Sequence, residues 1–410
     1  MKNIIFPPAR AVQDTIYIPS SKSISNRMLV IRSLAGSDAV LENLSESDDT
    51  AVMIRALQDS SGIRDVGHAG TALRFLTAYF AVQGTLVVLT GSERLRQRPV
   101  GPLVDALRSL GAKIGYLEKE GCPPLEISGR LTRGGDVRVS GNISSQFISA
   151  LMMIGPLLDG GLRIELTGEV VSATYIRMTL ALMNRCGIGA TFTGNEIRIP
   201  QQSYRVEPMR VESDWSAASY WYLVSALLPG SGIILSGLSA KSLQGDAVAM
   251  RLFEPLGVES RSVDEGMLLV SSETVKPASV EHDFSGCPDL VQTFAAALCS
   301  LGVPFRFSGT RTLRIKETDR IAALQKEMAR LGFVIRAGEE GAWIAWEGDR
   351  CDPVASPVIR TYDDHRMAMS FAPLAVRYPG LAIDDPGVVT KSYPAYWEHL
   401  QKAGFRVMEG

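Results

Sequence analysis

Two periods run through the polar and apolar positions of this chain. Thr15-Ile-Tyr-Ile18 reads as a short β-run, and after a polar interruption Ile24, Met28, Ile31, Leu34 and Ala35 recur at helical spacing. Gly36 then stands where a helix end favours a residue at positive φ. The same pattern predicts helices over Ala72 to Phe80, Phe147 to Ile154, Trp215 to Leu228 and Leu290 to Leu301, and two more ending at Met183 and Leu331. A longer period lies on top. Amphipathic helix, glycine and short apolar run recur around Gly111, Gly187, Gly257, Gly332 and Gly404, as in Met328-Ala-Arg-Leu-Gly332-Phe-Val-Ile. These glycines are 76, 70, 75 and 72 residues apart, and a weaker copy at Gly62 precedes Gly111 by 49. An interval of that size holds two helices and several strands, so the expectation is six repeated α/β units, three in each of two domains. A boundary is expected within Val206 to Asp214, ahead of the helix from Trp215.

Composition narrows the class. At 410 residues the chain exceeds the size at which a single core stops growing, and 46% hydrophobic with 21% charged residues is ordinary for a globular protein. The net charge of −2 offers no global positive field, which argues against nucleic acid and anionic membranes as partners. Cys122, Cys186, Cys287, Cys299 and Cys351 are scattered and odd in number, the mark of reduced thiols rather than a disulfide framework or a structural zinc. The four histidines form no HExxH. The most apolar stretch, Ile148 to Leu158, is too short to span a bilayer and is broken by Gly155-Pro156. Met-Lys-Asn-Ile-Ile-Phe-Pro-Pro lacks the apolar core of a signal peptide, so a cytoplasmic location is expected.

The polar clusters carry the chemistry, and nearly all fall where helices begin. Pro19-Ser-Ser-Lys-Ser-Ile-Ser-Asn-Arg27 places the Ser20, Ser21 and Ser23 hydroxyls and the Lys22 charge at the positive end of a helix dipole, with Arg27 one turn on. Asp65 to Thr71, Gly141 to Gln146, Ser172 to Tyr175, Ser285 to Asp289, Arg314 to Arg320, Thr361 to Arg366 and Thr390 to Ser392 are each expected to open a helix in the same way. Singly, each is as well read as a capped helix with solvated charges, and His365 as a structural hydrogen-bonder as readily as a catalyst. Together, Lys22, Arg27, Arg98, Lys316, Arg320, Arg366 and Lys391 concentrate positive charge in a chain with no surplus of it, which points to a substrate with several anionic groups. Asp289 and Glu317 lie inside the same set, where cations would hold them ionised for proton transfer. Neither GxxxxGK[ST] nor GxGxxG occurs, so nucleotide binding by those loops is unsupported.

These residues carry a resemblance. Pro19 to Arg27, Ala69-Gly-Thr-Ala-Leu-Arg74, Arg98-Pro-Val, Ser144-Ser-Gln-Phe147, Pro288-Asp289, Arg314-Ile-Lys-Glu-Thr-Asp-Arg320, Tyr362-Asp-Asp-His-Arg-Met-Ala-Met369 and Lys391 come in the order found in the 5-enolpyruvylshikimate-3-phosphate synthases of the enolpyruvyl transferase family. The chain resembles them from about residue 19 to about residue 400, and the KETDR and DHRMAM strings are highly specific in combination. The resemblance implies an α/β fold of two domains, each of three βαβαββ units, with helix N-termini converging on an interdomain cleft. Residues 1–20 with 213–410 would form one domain and 21–212 the other.

The implied reaction moves the enolpyruvyl group of phosphoenolpyruvate to the 5-hydroxyl of shikimate 3-phosphate and releases phosphate, with no metal or organic cofactor. By motif, Lys22, Ser23, Arg27, Ser144, Ser145, Gln146, Ser172, Asp289 and Lys316 would hold shikimate 3-phosphate. Lys22, Gly70, Arg98, Gln146, Arg320, Arg366 and Lys391 would hold phosphoenolpyruvate. Asp289 is the candidate base for the hydroxyl, and Glu317 and Lys22 are candidates for proton transfer at the methylene, with domain closure excluding water. A monomer acting on small molecules is expected.

The departures from the family pattern are His68 for Asn, Ser20 for Gly and Thr312 for Asn. The sister enzyme acting on UDP-N-acetylglucosamine is expected to carry a Cys in the loop before Arg-Pro, and Gly91 to Val100 has none. A non-catalytic anion-binding paralogue would have lost a proton-transfer residue, whereas Lys22, Asp289, Glu317, Arg366 and Lys391 are all present. An RNA-end-processing enzyme of related architecture conflicts with the near-neutral charge.

Overall fold

The structure, a computed structural model, describes residues 1–142 and 144–410, so the Ile143 position of the Gly141 to Gln146 cluster lies outside the described residues. The chain divides into two compact units, Met1–Pro19 with Glu212–Gly410, and Ser20–Val211. Each has its own hydrophobic core.

One repeat shows the logic of the rest. Strand Ile63–Asp65, helix Gly70–Gln83 and strand Val87–Thr90 form a crossover whose two strands pair in parallel. Helix Gly101–Ser109 follows, and strands Lys113–Tyr116 and Leu125–Ser128 close as an antiparallel pair on the far side of Val87–Thr90. Parallel neighbours need a long crossover and antiparallel ones only a short connection, so a β-α-β-α-β-β order yields this four-stranded sheet. The arrangement recurs between Arg133–Ser140 and Glu196–Ile199 in the same unit. In the other unit it recurs from Gln13–Ile16 through Gly266–Ser271 and from Val280–Asp283 to Trp343–Trp346. The last copy draws its fourth strand from far away. Lys2–Phe6 lies between Leu381–Asp384 and Arg406–Glu409 and pairs antiparallel with both.

The second helix or 3-10 turn of each full copy ends at the glycine that marks the sequence repeat. Gly111, Gly187, Gly257, Gly332 and Gly404 have φ of +106°, +88°, +90°, +91° and +90°, a left-handed conformation that a Cβ disfavours. The weak sixth copy is degenerate. Helices Lys22–Leu34 and Asp48–Gln58 are present, but their sheet is only the two-stranded pair Leu41–Glu42 with Met209–Arg210, and Gly62 is not left-handed.

Helix starts fall close to the expected places, at Lys22, Gly70, Ser145, Ala173, Trp215, Val291, Arg320 and His365. One expectation fails. Thr390 to Ser392 does not open a helix, because a 3-10 turn Pro386–Lys391 ends there and the next helix is Tyr396–Lys402. Pro394 explains it, since proline biases the residue before it away from helical conformation.

Candidate active site

In the Ser20–Val211 unit, the Ser21 hydroxyl caps helix Lys22–Leu34 by accepting from the Ile24 amide at 3.4 Å. That leaves the first-turn side chains Lys22 and Ser23 for other work. Lys22 Nζ lies 3.2 Å from Asp49 Oδ2, in the acidic first turn of helix Asp48–Gln58.

Arg27 does not look out to solvent. It is 2% exposed, and its guanidinium donates to Thr179 Oγ1 at 2.6 Å, Ser149 Oγ at 3.2 Å and the Ser23 carbonyl at 2.9 Å, with the Phe75 ring 5.3 Å away. All three acceptors are neutral oxygens. Burial lowers its pKa to about 10, which leaves it cationic at neutral pH. A buried cation held by hydroxyls retains a field that an anion can answer.

Gly70 opens helix Gly70–Gln83 and two guanidinium groups lie against it. A Cβ there would sit 2.7 Å from Arg98 Nη1 and 3.1 Å from Arg74 Nη1. Arg74 Nη1 donates to Gln146 Oε1 at 2.5 Å, and Gln146 Nε2 donates to Thr71 Oγ1 at 3.0 Å, which fixes the amide orientation. The Arg98 Nε is buried with no partner among the described residues. Two cations against one glycine, with an unanswered donor, form a pocket of positive potential.

Ser144 caps helix Ser145–Ile154 by accepting from the Gln146 amide at 3.4 Å, and Ser145 is buried behind it. Ser172, at the start of helix Ala173–Arg185, has φ of +57° and does not use its hydroxyl as a cap. Such strain in a non-glycine residue clusters at functional sites.

The other unit holds a carboxylate and guanidinium network. Asp289, in the 3-10 turn Pro288–Leu290, accepts from Arg320 Nη1 at 2.9 Å and Arg366 Nη2 at 2.7 Å. Arg320, 2% exposed, also donates to Asp364 Oδ2 at 2.6 Å and Glu317 Oε2 at 2.8 Å. Asp319 caps the Arg320–Arg330 helix from Ala322 N at 3.0 Å, which fixes where the Arg320 side chain starts. Burial works to raise the Asp289 pKa, but Arg366, Lys316 and Arg320 outweigh it and hold the carboxyl well below its ordinary range. Burial lowers the Lys316 pKa, against the pull of Asp289.

Arg366 follows the Asp364 cap and reaches Tyr220 Oη at 3.3 Å. Asp364 also approaches His365, with Oδ1 4.0 Å from Nδ1 of the buried ring. Lys391 Nζ donates to the Asp363 carbonyl at 2.7 Å, and Tyr362 and Asp363 are consecutive left-handed residues at φ of +55° and +57°.

The structure therefore gathers Lys22, Ser23, Arg27, Gly70, Arg98, Ser144, Ser145, Gln146 and Ser172 in one unit. Asp289, Lys316, Glu317, Arg320, Arg366 and Lys391 stand in the other. Sequence reasoning assigned no role to Asp49, Arg74 or Asp364. Arg74 and Asp364 lie inside the Ala69 to Arg74 and Tyr362 to Met369 motifs, while Asp49 has only its acidic first turn as a signal. Of the departures, His68 Nδ1 lies 3.0 Å from Ser92 Oγ, and Thr312 sits in the 3-10 turn Arg311–Ile315.

Comparison with known proteins agrees over the whole length. The family model for EPSP synthase (3-phosphoshikimate 1-carboxyvinyltransferase) matches residues 7–60 and 58–400. A 3-phosphoshikimate 1-carboxyvinyltransferase of Bacteroides fragilis (strain YCH46) is 48% identical over 411 residues, covering 100% of both chains. One from Sulfurovum sp. (strain NBC37-1) is 36% identical over 438 residues, covering 98% of this chain and 99% of that one. The solved structure of EPSP synthase from Acinetobacter baumannii superposes with a TM-score of 0.78 over 100% of both chains at 20% identity, a likeness of fold.

Proposed function

The chain belongs to the EPSP synthase family, and from that premise we propose that its two residue clusters serve one group transfer. The protein is a transferase of the shikimate pathway, moving the enolpyruvyl group of phosphoenolpyruvate to the 5-hydroxyl of shikimate 3-phosphate. Shikimate 3-phosphate is assigned to Lys22, Ser23, Arg27, Ser144, Ser145, Gln146, Ser172, Asp289 and Lys316. Phosphoenolpyruvate is assigned to Lys22, Gly70, Arg98, Gln146, Arg320, Arg366 and Lys391. The cation pair against Gly70 and the unanswered Arg98 donor support an anion there. A monomer in the cytoplasm completes the reading. Among the described residues no helix is long and apolar enough to cross a membrane.

The observation that carries the chemistry is Asp289 clamped between Arg320 and Arg366. Asp289 takes the proton of the 5-hydroxyl as its oxygen bonds to the substituted carbon of phosphoenolpyruvate. The methylene carbon gains a proton from Lys22, or from Glu317 once it is protonated, giving a tetrahedral intermediate. The group that gave the proton takes one back from the methyl as phosphate departs with the proton held by Asp289, which restores the double bond. A carboxylate held so far down is a weak base while its cations are unshared. Anionic substrate groups that draw on Arg366, Arg320 and Lys316 relax that hold, so binding raises the basicity of Asp289 when it is needed.

Phosphate release from the purified protein, without added metal, tests this. Release is expected to need both phosphoenolpyruvate and shikimate 3-phosphate, and to fall by about a hundredfold or more in Asp289→Ala and Lys22→Met. Release only with UDP-N-acetylglucosamine would move the function to the sister enzyme, and none with either acceptor would leave an anion-binding paralogue.

A further inference from the structure

One buried acid beside the Asp289 network has no part in the reaction above. Asp246 lies in the 3-10 turn Gly245–Val248, 4% exposed. Its Oδ2 accepts a hydrogen bond from Ser216 Oγ, while Oδ1 is buried with no partner among the described residues. The turn is pinned to the start of helix Trp215–Leu227. Gln244 accepts from the Trp215 amide at 3.1 Å and donates to the Ser213 carbonyl at 2.8 Å and Glu212 Oε2 at 3.0 Å. Ser216 is the one residue of that helix that is not buried. Its hydroxyl oxygen lies 3.5 Å from Arg366 Nη2, the nitrogen that donates to Asp289.

We propose that Asp246 is a positioning residue for Arg366, acting through the Ser216 hydroxyl and competing with Asp289 for the same guanidinium, so that it sets how strongly Arg366 attracts an anionic substrate group. The inference rests on the assignment of Arg366 to phosphoenolpyruvate. Charge balance shows why it matters. Lys316, Arg320 and Arg366 are matched by Asp289, Glu317 and Asp364. An ionised Asp246 tips this set negative and opposes an incoming anion, whereas a protonated one leaves it balanced.

Burial pushes the Asp246 pKa up to about 7; Asp289 and Asp214 add to the rise, while Arg366 and the Ser216 bond oppose it. Among the other groups around it, the Cys287 thiol is pushed up by burial and by Asp246 itself, and Tyr220 is pushed up by burial beside Arg366. On the following helix, Ala249–Phe253, the charged residue is the exposed Arg251, and on the Arg366 helix His365 stands beside Asp364. The sign follows. Below about pH 7 the neutral acid prevails, and as pH rises through that value the new charge weakens anion binding at Arg366.

The test is steady-state kinetics of the full chain with phosphoenolpyruvate varied at saturating shikimate 3-phosphate, at roughly pH 6.5 and roughly pH 8.5 on either side of that pKa. Wild type, Asp246→Asn and Ser216→Ala are compared, and sulfate, whose charge is constant over that range, is titrated by calorimetry. The fall in kcat/KM with rising pH should be at least about threefold larger in wild type than in Asp246→Asn, carried by KM, with the same contrast in sulfate affinity. Ser216→Ala, which removes both the link to Arg366 and a donor to the carboxylate, should shrink the fall and move what remains of it to higher pH. Equal pH ratios in wild type and Asp246→Asn, with any loss uniform across pH, overturn the proposal. If Asp246→Asn does not fold, a fall of undiminished size in Ser216→Ala overturns it and a smaller fall supports it. If wild type releases no phosphate, the assigned reaction falls, and the sulfate contrast alone decides the role of Asp246, its presence supporting that role and its absence overturning it.

Discussion

Arg27 presents a single residue's conflict between stability and function. Its guanidinium is buried among hydroxyls and rings and carries a charge that no carboxylate pairs with among the described residues. Ser149 and Thr179, two of its acceptors, also lie 2.8 Å from each other, so removing the arginine leaves them hydrogen-bonded. Replacing a whole buried ionic group set by apolar side chains of similar volume is often neutral or stabilising, and here the three acceptors are neutral, so no opposite charge is left behind. Arg27→Met is therefore expected to leave stability unchanged or raise it by up to about 2 kcal/mol in urea unfolding, while the KM for shikimate 3-phosphate rises by about tenfold or more. A matching loss of stability would show that the charge serves the fold. The position was legible as a cation one turn into a helix, because helical spacing is local. Its burial was not, since Thr179 and Ser149 come from segments 152 and 122 residues away. Arg320 and Asp364 likewise meet across 44 residues, and Asp246 and Ser216 across 30, so no run of sequence marks either pair.

Among elements, the recurrent one is the helix or turn that ends in a left-handed glycine and returns into a hairpin. The conformation is common to Gly111 and Gly257, but the surroundings differ. A Cβ at Gly111 would meet nothing within 4 Å, whereas at Gly257 it would lie 2.3 Å from the Ser272 carbonyl oxygen. Gly111→Ala should thus cost about 1 kcal/mol, the conformational term alone. Gly257→Ala should cost roughly twice that or more, because backbone must move. Urea unfolding of the two variants measures the difference, and equal losses would mean that the backbone at Ser272 yields freely. These glycines made the repeat readable because a positive φ leaves few substitutes. The sixth copy is the faintest in the sequence, since Gly62 stands at the right kind of place without that conformation and its sheet has only two strands. Lys391 ends a turn instead of opening a helix, and the periodic signal resumes only after Pro394.

At the scale of the whole molecule, the two units differ in how the chain supplies them. Ser20–Val211 is continuous, while the other unit takes Met1–Pro19 from one end of the sequence. Within that unit, Lys2–Phe6 fills the gap between two C-terminal strands, and Gln13–Ile16 pairs in parallel with Gly232–Ser236. A fragment of residues 20–211 is expected to unfold cooperatively by itself, with near-ultraviolet circular dichroism showing packed aromatic residues. A fragment of residues 212–410 should do so only when a peptide of residues 1–19 is added, and cooperative unfolding without it would contradict the pairing. The discontinuity was not legible in local pattern, because nothing in Asn3, Ile4 or Ile5 names a partner some 400 residues on; it entered through the family resemblance. The same strand also sets a timetable for synthesis. At about 5–20 residues per second, a ribosome makes Lys2–Phe6 roughly 20 to 80 s before Arg406–Glu409. The Ser20–Val211 unit can fold while translation continues, but the first strand must wait exposed for its second neighbour. Nascent-chain protection of that segment, by a chaperone or by transient pairing, is thus a requirement that this topology places on the cell.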